Sequence, residues 1–227
     1  MPRGKQSKGT CAYCGAEIAK GGMSKHLSAC VQRRAVIESA ERTKKAREPL
    51  YHLRVQAAWQ PPFWLDLEMR GARTLKDLDT YLRAIWLECC GHLSRFSVGG
   101  WSGDDIPMSQ RIGEVFQRGV VLTHIYDFGT SSETLVKAVG VREGKPTTAR
   151  PIALMARNRM PEDKCLECGQ PAAWLCWECL IEHNQWGTLC DKHAQTHPHD
   201  SYGEPTPLVN SPRLGMCGYS GPAKPPY

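Results

Sequence analysis

The sequence lacks the long apolar segments of membrane-spanning or exported chains. No apolar run in its 227 residues reaches the ~18 residues that indicate a transmembrane helix. The chain starts Met1-Pro-Arg-Gly-Lys5, which is basic, but no apolar segment follows. We therefore predict no secretory signal and no membrane contact, and we expect a cytoplasmic protein.

The common motifs of enzyme chemistry are also absent. There is no glycine-rich phosphate loop and no nucleophile elbow. Isolated catalytic candidates exist in the middle of the chain, namely His92, Asp104, Asp105, His124 and Asp127. A lone histidine beside an aromatic residue in a strand is more often a packing residue than a catalytic one. We predict no catalytic residue and identify no small-molecule substrate. An enzyme is therefore the least favoured of the three functions considered.

Cysteine, by contrast, is abundant. Eleven cysteines in a chain without an export signal favour metal binding over disulfides. Eight candidate zinc ligands fall within residues 165–199: Cys165, Cys168, Cys176, Cys179, Cys190, His193, His197 and His199. Paired ligands separated by two residues allow one tight turn to reach a single tetrahedral ion. Eight ligands predict two closed, structural zinc sites, and His183 is a spare ligand.

The order of these pairs resembles a B-box or a related cross-braced zinc module. The resemblance implies one site made of Cys165, Cys168, Cys190 and His193, and a second made of Cys176, Cys179, His197 and His199. A sequential pairing, with Cys165, Cys168, Cys176 and Cys179 around one ion, stays open. The ten residues between Cys179 and Cys190 exceed the B-box spacing. Trp174, Trp177 and Trp186 form the core of the module or, where exposed, anchor a protein partner.

A third site is predicted near the N-terminus. Residues 11–30 read C-x2-C-x11-H-x3-C, with ligands Cys11, Cys14, His26 and Cys30. His26 and Cys30 lie four residues apart, on one face of a predicted helix with Ser24 as its N-cap. The segment resembles a CCHC-type zinc finger with a ββα fold. Twelve ligands in all predict about three zinc ions per chain.

Positive charge is concentrated around this finger. Residues 1–48 hold eleven Lys and Arg against four Asp and Glu, a net charge of +7, whereas residues 165–227 hold three against six, a net charge of −3. A helix is predicted over 31–48, ended by Pro49. The basic residues expected to contact a phosphate backbone are Lys20, Lys25, Arg33, Arg34, Lys44 and Lys45. Lysines favour phosphates over base edges, so we expect no sequence-specific readout.

Residues 49–164 carry the patterns of a folded body. Tyr51, Leu53 and Val55 alternate with polar residues, as do residues 63–70, so both segments are predicted strands. Thr74 and Asp77 resemble a capping box that starts an amphipathic helix, which we expect to end at Gly91. Short strands follow near 93–98, 120–128, 133–141 and 151–155. The predicted fold class is α+β, with a small antiparallel or mixed sheet packed on one main helix and flanked by two zinc-binding modules.

The domain boundaries follow from these patterns. We predict a finger with a basic helix over 1–48, the α+β domain over 49–164, a two-zinc module over 165–200 and a Pro/Gly-rich tail over 201–227.

The body resembles the plasmid pRiA ORF-three-like proteins, a transposon passenger-type family. The resemblance rests on five short sequence motifs: Tyr51-His-Leu-Arg-Val55, Pro61-Pro-Phe-Trp64, Thr74-Leu-x-x-Leu78, His92-Leu-x-x-Phe96 and Tyr126-Asp-Phe-Gly129. They span residues 50–165, together with a Pro161-Glu-Asp163 remnant. The resemblance implies an α+β domain and a bacterial or mobile-element setting, without a known activity. The acidic residue that often follows the family's Tyr-Asp-Phe-Gly is absent, because Thr130 stands there.

Two functions follow from the sequence. The first is a non-enzymatic zinc-binding interaction protein whose basic finger arm, residues 1–48, contacts nucleic acid. The alternative is a protein–protein adaptor or complex subunit that docks through its zinc modules and makes no direct contact with nucleic acid.

Overall fold

The computed structural model describes residues 7–59, 62–88, 90–117, 119–198 and 201–216. Within these residues the chain is α+β, with one nine-stranded sheet, one three-stranded sheet, six α-helices and one short 3-10 helix. All the strand pairings are antiparallel. The α+β prediction is confirmed. The prediction that the main sheet is small was wrong, because nine strands join it.

The order of strands in the main sheet is β2-β1-β9-β4-β3-β8-β7-β5-β6. Its strands are β1 Lys8–Cys11, β2 Glu17–Ala19, β3 Glu48–Ala57, β4 Trp64–Arg70, β5 Ser94–Val98, β6 Asp104–Ile106, β7 Val121–Tyr126, β8 Ser132–Gly144 and β9 Ile152–Asn158. The small sheet contains β10 Trp174–Cys176, β11 Gly187–Leu189 and β12 Thr206–Pro207. The helices are α1 Lys20–Ala29, α2 Val31–Glu41, α3 Leu75–Ile85, α4 Ile112–Val115, α5 Trp177–Ile181 and α6 Asp191–Ala194.

Helix α3 supplies the helical half of the main core. The capping box predicted from Thr74 and Asp77 is present, with the Thr74 amide donating to Asp77 Oδ2 at 2.9 Å. Leu75, Leu78 and Leu82 are fully buried in the same hydrophobic core as strands β3 and β4. The helix ends at Ile85, because Leu87 adopts a positive φ of 60° before Gly91 is reached.

The sheet is larger than predicted because the finger is part of it. The finger strands β1 and β2 form a hairpin, and β1 pairs along β9, from Gly9 with Asn158 to Cys11 with Ala156. The main sheet therefore runs from the finger through the body without a break. Met23 and Leu27 of α1 pack with Trp64 of β4 in a second hydrophobic cluster.

Several element boundaries differ from the sequence-based expectation. The helix predicted over 31–48 ends at Glu41, and Pro49 lies within β3, opposite Glu143 of β8. Ser24 is not an N-cap, because α1 already begins at Lys20. The short edge strand β6 follows Trp101, where no strand was predicted. Part of the predicted tail packs on the molecule, with Val209, Ser211 and Leu214 buried, whereas residues 217–227 lie outside the described residues.

No helix in the described part of the chain is long and apolar enough to cross a membrane.

Candidate metal centres

The finger cluster consists of Cys11, Cys14, His26 and Cys30, whose ligand atoms all lie within 4.8 Å of one another. Cys11 ends strand β1, and Gly15, at a φ of +74°, allows the tight turn that returns the chain to β2. His26 projects from α1, and Cys30 occupies the break between α1 and α2. The Cys14 Sγ and His26 Nε2 atoms are 3.4 Å apart.

The C-terminal module, residues 165–198, contains two further clusters. The proximal cluster consists of Cys165, Cys168, Cys190 and His193, and the distal cluster of Cys176, Cys179 and His197. His199, predicted as the fourth distal ligand, lies outside the described residues. In the structure the first cysteine pair shares its cluster with Cys190 and His193, so the pairs interleave as in a cross-brace, not in sequential order.

The small sheet explains why the pairs interleave. Strands β10 and β11 are antiparallel, with Trp174 opposite Leu189 and Cys176 opposite Gly187. Cys176 and Cys190 therefore lie at opposite ends of the hairpin, where they cannot share an ion. The Leu166 amide donates to the Thr188 carbonyl at 2.8 Å, which places the Cys165 turn beside Cys190.

The separations of the ligand atoms fit tetrahedral zinc. Bond lengths of about 2.3 Å to sulfur and 2.0 Å to nitrogen give ligand–ligand separations of about 3.8 Å for S–S and 3.5 Å for S–N. The Cys168 and Cys190 sulfurs are 3.8 Å apart. His193 Nδ1 lies 3.3 Å from Cys165 Sγ and 3.4 Å from Cys190 Sγ. In the distal cluster, His197 Nε2 lies 3.2 Å from Cys179 Sγ.

The thiol pKa values show why such clusters call for a cation. Burial opposes ionisation of Cys165, but backbone hydrogen bonds from Cys190, Glu167 and Cys168 outweigh it and lower the pKa to about 6. Burial and the neighbouring Cys176 raise the pKa of Cys179 to about 11. The Cys165 thiolate therefore forms readily, whereas ionisation of Cys179 is unfavourable. A divalent ion supplies the positive charge that allows all the ligands of one site to bind as thiolates.

Eleven of the twelve predicted ligands thus fall into three clusters, each able to hold a metal ion, and the twelfth, His199, lies outside the described residues. The spare ligand His183 is exposed and belongs to none of the three.

The body contacts the start of the finger helix. The guanidinium of Arg54, on β3, donates to the Lys20 carbonyl at 3.3 Å and to Ser24 Oγ at 3.1 Å. The Lys20 ammonium donates to Gln56 Oε1. Burial, together with Arg54 and Lys137 nearby, lowers the pKa of Lys20 to about 8. The helix start reads bases in DNA-binding fingers. Here side chains of β3 bond two of its residues, Lys20 and Ser24, whereas Gly21, Gly22 and Lys25 are exposed.

The other predicted phosphate contacts divide into two groups. Arg33 is paired with Glu68 at 3.3 Å and is only 14% exposed, and the Lys45 ammonium donates to the Pro146 carbonyl at 3.0 Å. Lys25, Arg34 and Lys44 are exposed. Half of the six residues are therefore engaged or partly enclosed by the chain itself, and half face solvent.

The catalytic candidates His92, His124 and Asp127 are each paired with a neighbouring side chain, and His92 Nδ1 lies 3.5 Å from Asp127 Oδ2. His124 is fully buried, and its Nε2 lies 3.0 Å from Asp79 Oδ1. Ser94 donates to the same oxygen at 2.5 Å, so the serine is bound to the carboxylate and not to the histidine. Asp127 occupies a turn with a φ of 64° and is paired with Arg213 at 3.1 Å. These groups tie α3, β7 and the C-terminal segment together.

Two residues with roles at the clusters were missed from the sequence. Glu167, inside the Cys165–Cys168 turn, contacts histidines of both module clusters: its Oε1 is 2.9 Å from His197 Nδ1, and its Oε2 is 3.7 Å from His193 Nε2. Trp64 lies under the finger and donates to Ser7 Oγ at 3.0 Å. Neither carries a sequence signal, because both contacts depend on long-range folding.

Comparison with solved structures finds similarity over part of the chain to the crystal structure of a protein of unknown function, MM3350, from Methanosarcina mazei Go1. The two share 19% identity with a TM-score of 0.40, over 46% of this chain and 66% of that protein. No protein-family model and no curated protein matches the chain.

Proposed function

We propose that this protein is a non-enzymatic adaptor whose fold is stabilised by about three zinc ions and whose C-terminal module binds a protein partner. Support comes first from the three clusters, whose ligand sets of cysteine and histidine favour zinc. The proximal and finger clusters each offer four ligands, so no position is left for a reacting water. A reducing compartment such as the cytoplasm belongs to the same proposal, because these cysteines bind metal as thiolates.

The observation that carries the adaptor function is apolar surface on the module. Trp186, Ile181 and Leu166 are 50%, 52% and 41% exposed. Trp174 and Trp177, by contrast, are partly buried and bonded through their indole N–H groups to Asp191 and Thr206, each at 2.8 Å. Large exposed side chains on so small a module are typical of partner-binding anchors. The net negative charge of residues 165–227 favours a partner with basic residues around an apolar patch.

The test uses the tagged protein purified from its own host after mild crosslinking. We expect one partner to copurify at a constant ratio with the native protein, and Trp186→Ala to lose at least nine tenths of it while keeping its bound zinc. Trp59→Ala is the matched control, because Trp59 is 78% exposed but lies on the body. Recovery of the native protein alone, or equal loss from both variants, would contradict the adaptor.

Nucleic-acid binding by the basic arm is the second candidate. It is favoured by the exposed Lys25, Arg34 and Lys44, and it is weakened because side chains of β3 bond Lys20 and Ser24 at the helix start. Replacing all three by glutamine should lower affinity for duplex DNA or RNA and reduce the slope of log affinity against log salt by about 3. The control replaces the exposed Lys137, Lys164 and Lys192. Weak binding that does not depend on salt in the native protein would rule this candidate out.

The family and its setting are part of the proposal. We infer that residues 50–165 form a domain of the plasmid pRiA ORF-three-like kind, in a bacterial or mobile-element system. Residues of its sequence motifs lie at the ends of helices and strands: Thr74 caps α3, Trp64 begins β4, and Asp127 forms the turn after β7. Transposition or recombination genes beside this one would support the setting, whereas a metabolic operon would count against it.

A further inference from the structure

Glu167 lies between the two clusters of the C-terminal module. Its Oε1 is 2.9 Å from Nδ1 of His197, and its Oε2 is 3.7 Å from Nε2 of His193. One oxygen therefore faces a distal ligand and the other faces a proximal ligand. The first distance is a hydrogen bond, and the second is an electrostatic contact that a small rotation of the carboxylate would shorten.

Each contact involves the imidazole nitrogen that faces away from its cluster. His197 presents Nε2 to Cys179, and His193 presents Nδ1 to Cys165 and Cys190. Glu167 therefore accepts a hydrogen bond from Nδ1 of His197 and faces Nε2 of His193 at the longer distance, so it favours a different tautomer in each ring. A carboxylate behind a ligating histidine holds the ring in orientation and makes it a better donor to the metal.

The backbone fixes Glu167 in this position. It is the third residue of the Cys165-Leu-Glu-Cys168 turn. The Leu166 amide donates to Thr188 O at 2.8 Å, and the Gly169 amide donates to Cys165 O at 2.8 Å. The carboxylate thus belongs to the proximal ligand turn while it reaches a distal ligand.

We propose that Glu167 is a positioning residue that couples the two metal sites of the module, so that they fill and empty as a unit. The inference rests on the zinc binding proposed above. When an ion leaves one cluster, its histidine is free to rotate away from Glu167. The carboxylate then loses one of its two contacts and holds the other histidine less firmly. Coupling of this kind gives the module one folded state with two ions and disfavours a half-filled one.

The experiment follows the histidine ring signals of the full-length zinc-loaded protein by NMR after a strong chelator is added. His26, His193 and His197 report separately on the finger, proximal and distal sites. We expect the two module sites to empty at a common rate in the native protein. Glu167→Ala should speed release from both by about 10–100-fold and separate the two rates. The finger site should keep its rate, because Glu167 does not contact His26 in the described part of the chain.

Glu182→Ala is the matched control. Glu182 is an exposed carboxylate of the same module that bonds Tyr202 and, among the described residues, no ligand histidine, so its variant should release zinc like the native protein. Glu167→Gln keeps one acceptor oxygen, and it should restore slow release at one module site only. This partial rescue is not expected if Glu167 merely supports the fold.

The outcomes separate the two proposals. A native protein without zinc at residues 165–198 overturns the proposed function. Two bound ions whose release is unchanged in Glu167→Ala overturn the coupling alone, as does faster release from the distal site only. If Glu167→Ala does not fold, long-range ¹H–¹⁵N spectra of the native protein test the coupling instead. Slowly exchanging protons on His197 Nδ1 and His193 Nε2 are expected, and their absence from either ring refutes the coupling.

Discussion

Two buried acidic residues of the body, Asp79 and Glu88, differ in how well neighbouring groups stabilise their negative charge. Burial of Asp79 opposes its ionisation, but hydrogen bonds from His124 and Ser94 outweigh it and lower the pKa to about 2. Asp79 is therefore charged at all ordinary pH values, and it binds α3 to β7 and β5. Burial also dominates at Glu88, where it raises the pKa. Ser132 donates to one Glu88 oxygen at 2.9 Å, and the other oxygen has no hydrogen-bond partner among the described residues.

Glu88 therefore reduces the stability of the fold as pH rises. Its folded pKa lies above the unfolded value, so the folded state binds the proton more tightly, and this contribution is lost as pH rises through the folded pKa. Glu88→Gln has the same shape, can accept from Ser132 and cannot ionise. We expect its melting temperature at pH 8 to exceed that of the native protein by ~2–4 °C, the change that about 1 kcal/mol gives in a chain of this size.

The advantage of Glu88→Gln should shrink as pH falls toward 5.5 in scanning calorimetry of zinc-loaded protein, since native Glu88 is then protonated more often. The control Glu162→Gln changes an exposed carboxylate and should leave the melting temperature unaltered at every pH. An advantage that stays constant with pH would mean that packing, and not charge, separates Glu88→Gln from the native protein.

At the scale of elements, the pairing of β1 with β9 joins the finger to the body. Gly9 lies in this pairing, opposite Asn158. A Cβ at Gly9 would lie 2.5 Å from the Arg157 carbonyl oxygen and 2.5 Å from the Trp64 ring. The close approach of β1 to the fully buried Trp64 therefore requires glycine.

Gly9→Ala should destabilise the protein by about 1–3 kcal/mol through overpacking, as measured by urea unfolding. Hydrogen exchange should increase in β1 and β9 in particular, because the finger hairpin is pushed off the sheet edge. Gly140→Ala is the control. Gly140 is exposed in β8, with no atom nearer than 4.0 Å to the added Cβ. Equal stability of both variants would show that β1 does not pack against Trp64 as described.

At the scale of the whole molecule, three hydrophobic clusters of unequal size hold the chain. The main core contains 22 buried residues from the body and its neighbours. The cluster inside the C-terminal module contains four, of which Cys165, Cys176 and Cys179 are predicted ligands. The fourth member is Leu189, and the buried Leu175 of β10 belongs to the main core instead. The module's own cluster is therefore small, and we expect metal bonds to replace the core that this short segment lacks.

Removal of metal should therefore unfold the ends and spare the body. We expect elemental analysis to give about three zinc ions per chain. After chelation, hydrogen exchange should become fast over residues 11–30 and 165–198, while α3, β3 and β4 keep their protection. Re-addition of zinc serves as the control and should restore both ends. A module that stays protected without metal would contradict the structural role of zinc.

Elements with a local pattern were predictable, whereas their extent was not. The alternation of Leu53, Val55 and Ala57 identified β3, and Thr74 with Asp77 identified the start of α3. The end of α3 at Ile85 and the end of α2 at Glu41 were missed. Distant residues bond the carbonyls at both ends, Arg157 at Ile85 and Lys145 at Glu41. Leu50 is buried although it breaks the alternation, because the β3–β8 register shifts between His52 and Leu53.

The sequence by itself determined several contacts that one turn of chain can make: the paired cysteines, the four-residue separation of His26 and Cys30, and the capping box of α3. Only the tertiary structure decided which pairs meet. The β10–β11 hairpin separates Cys176 from Cys190 and brings Cys190 to Cys165. The same long-range packing engages Lys20 and Arg33 within the chain and places Glu167 between two clusters. Ligand spacing is local geometry, whereas partnership between distant segments depends on the strand pairings that bring them together.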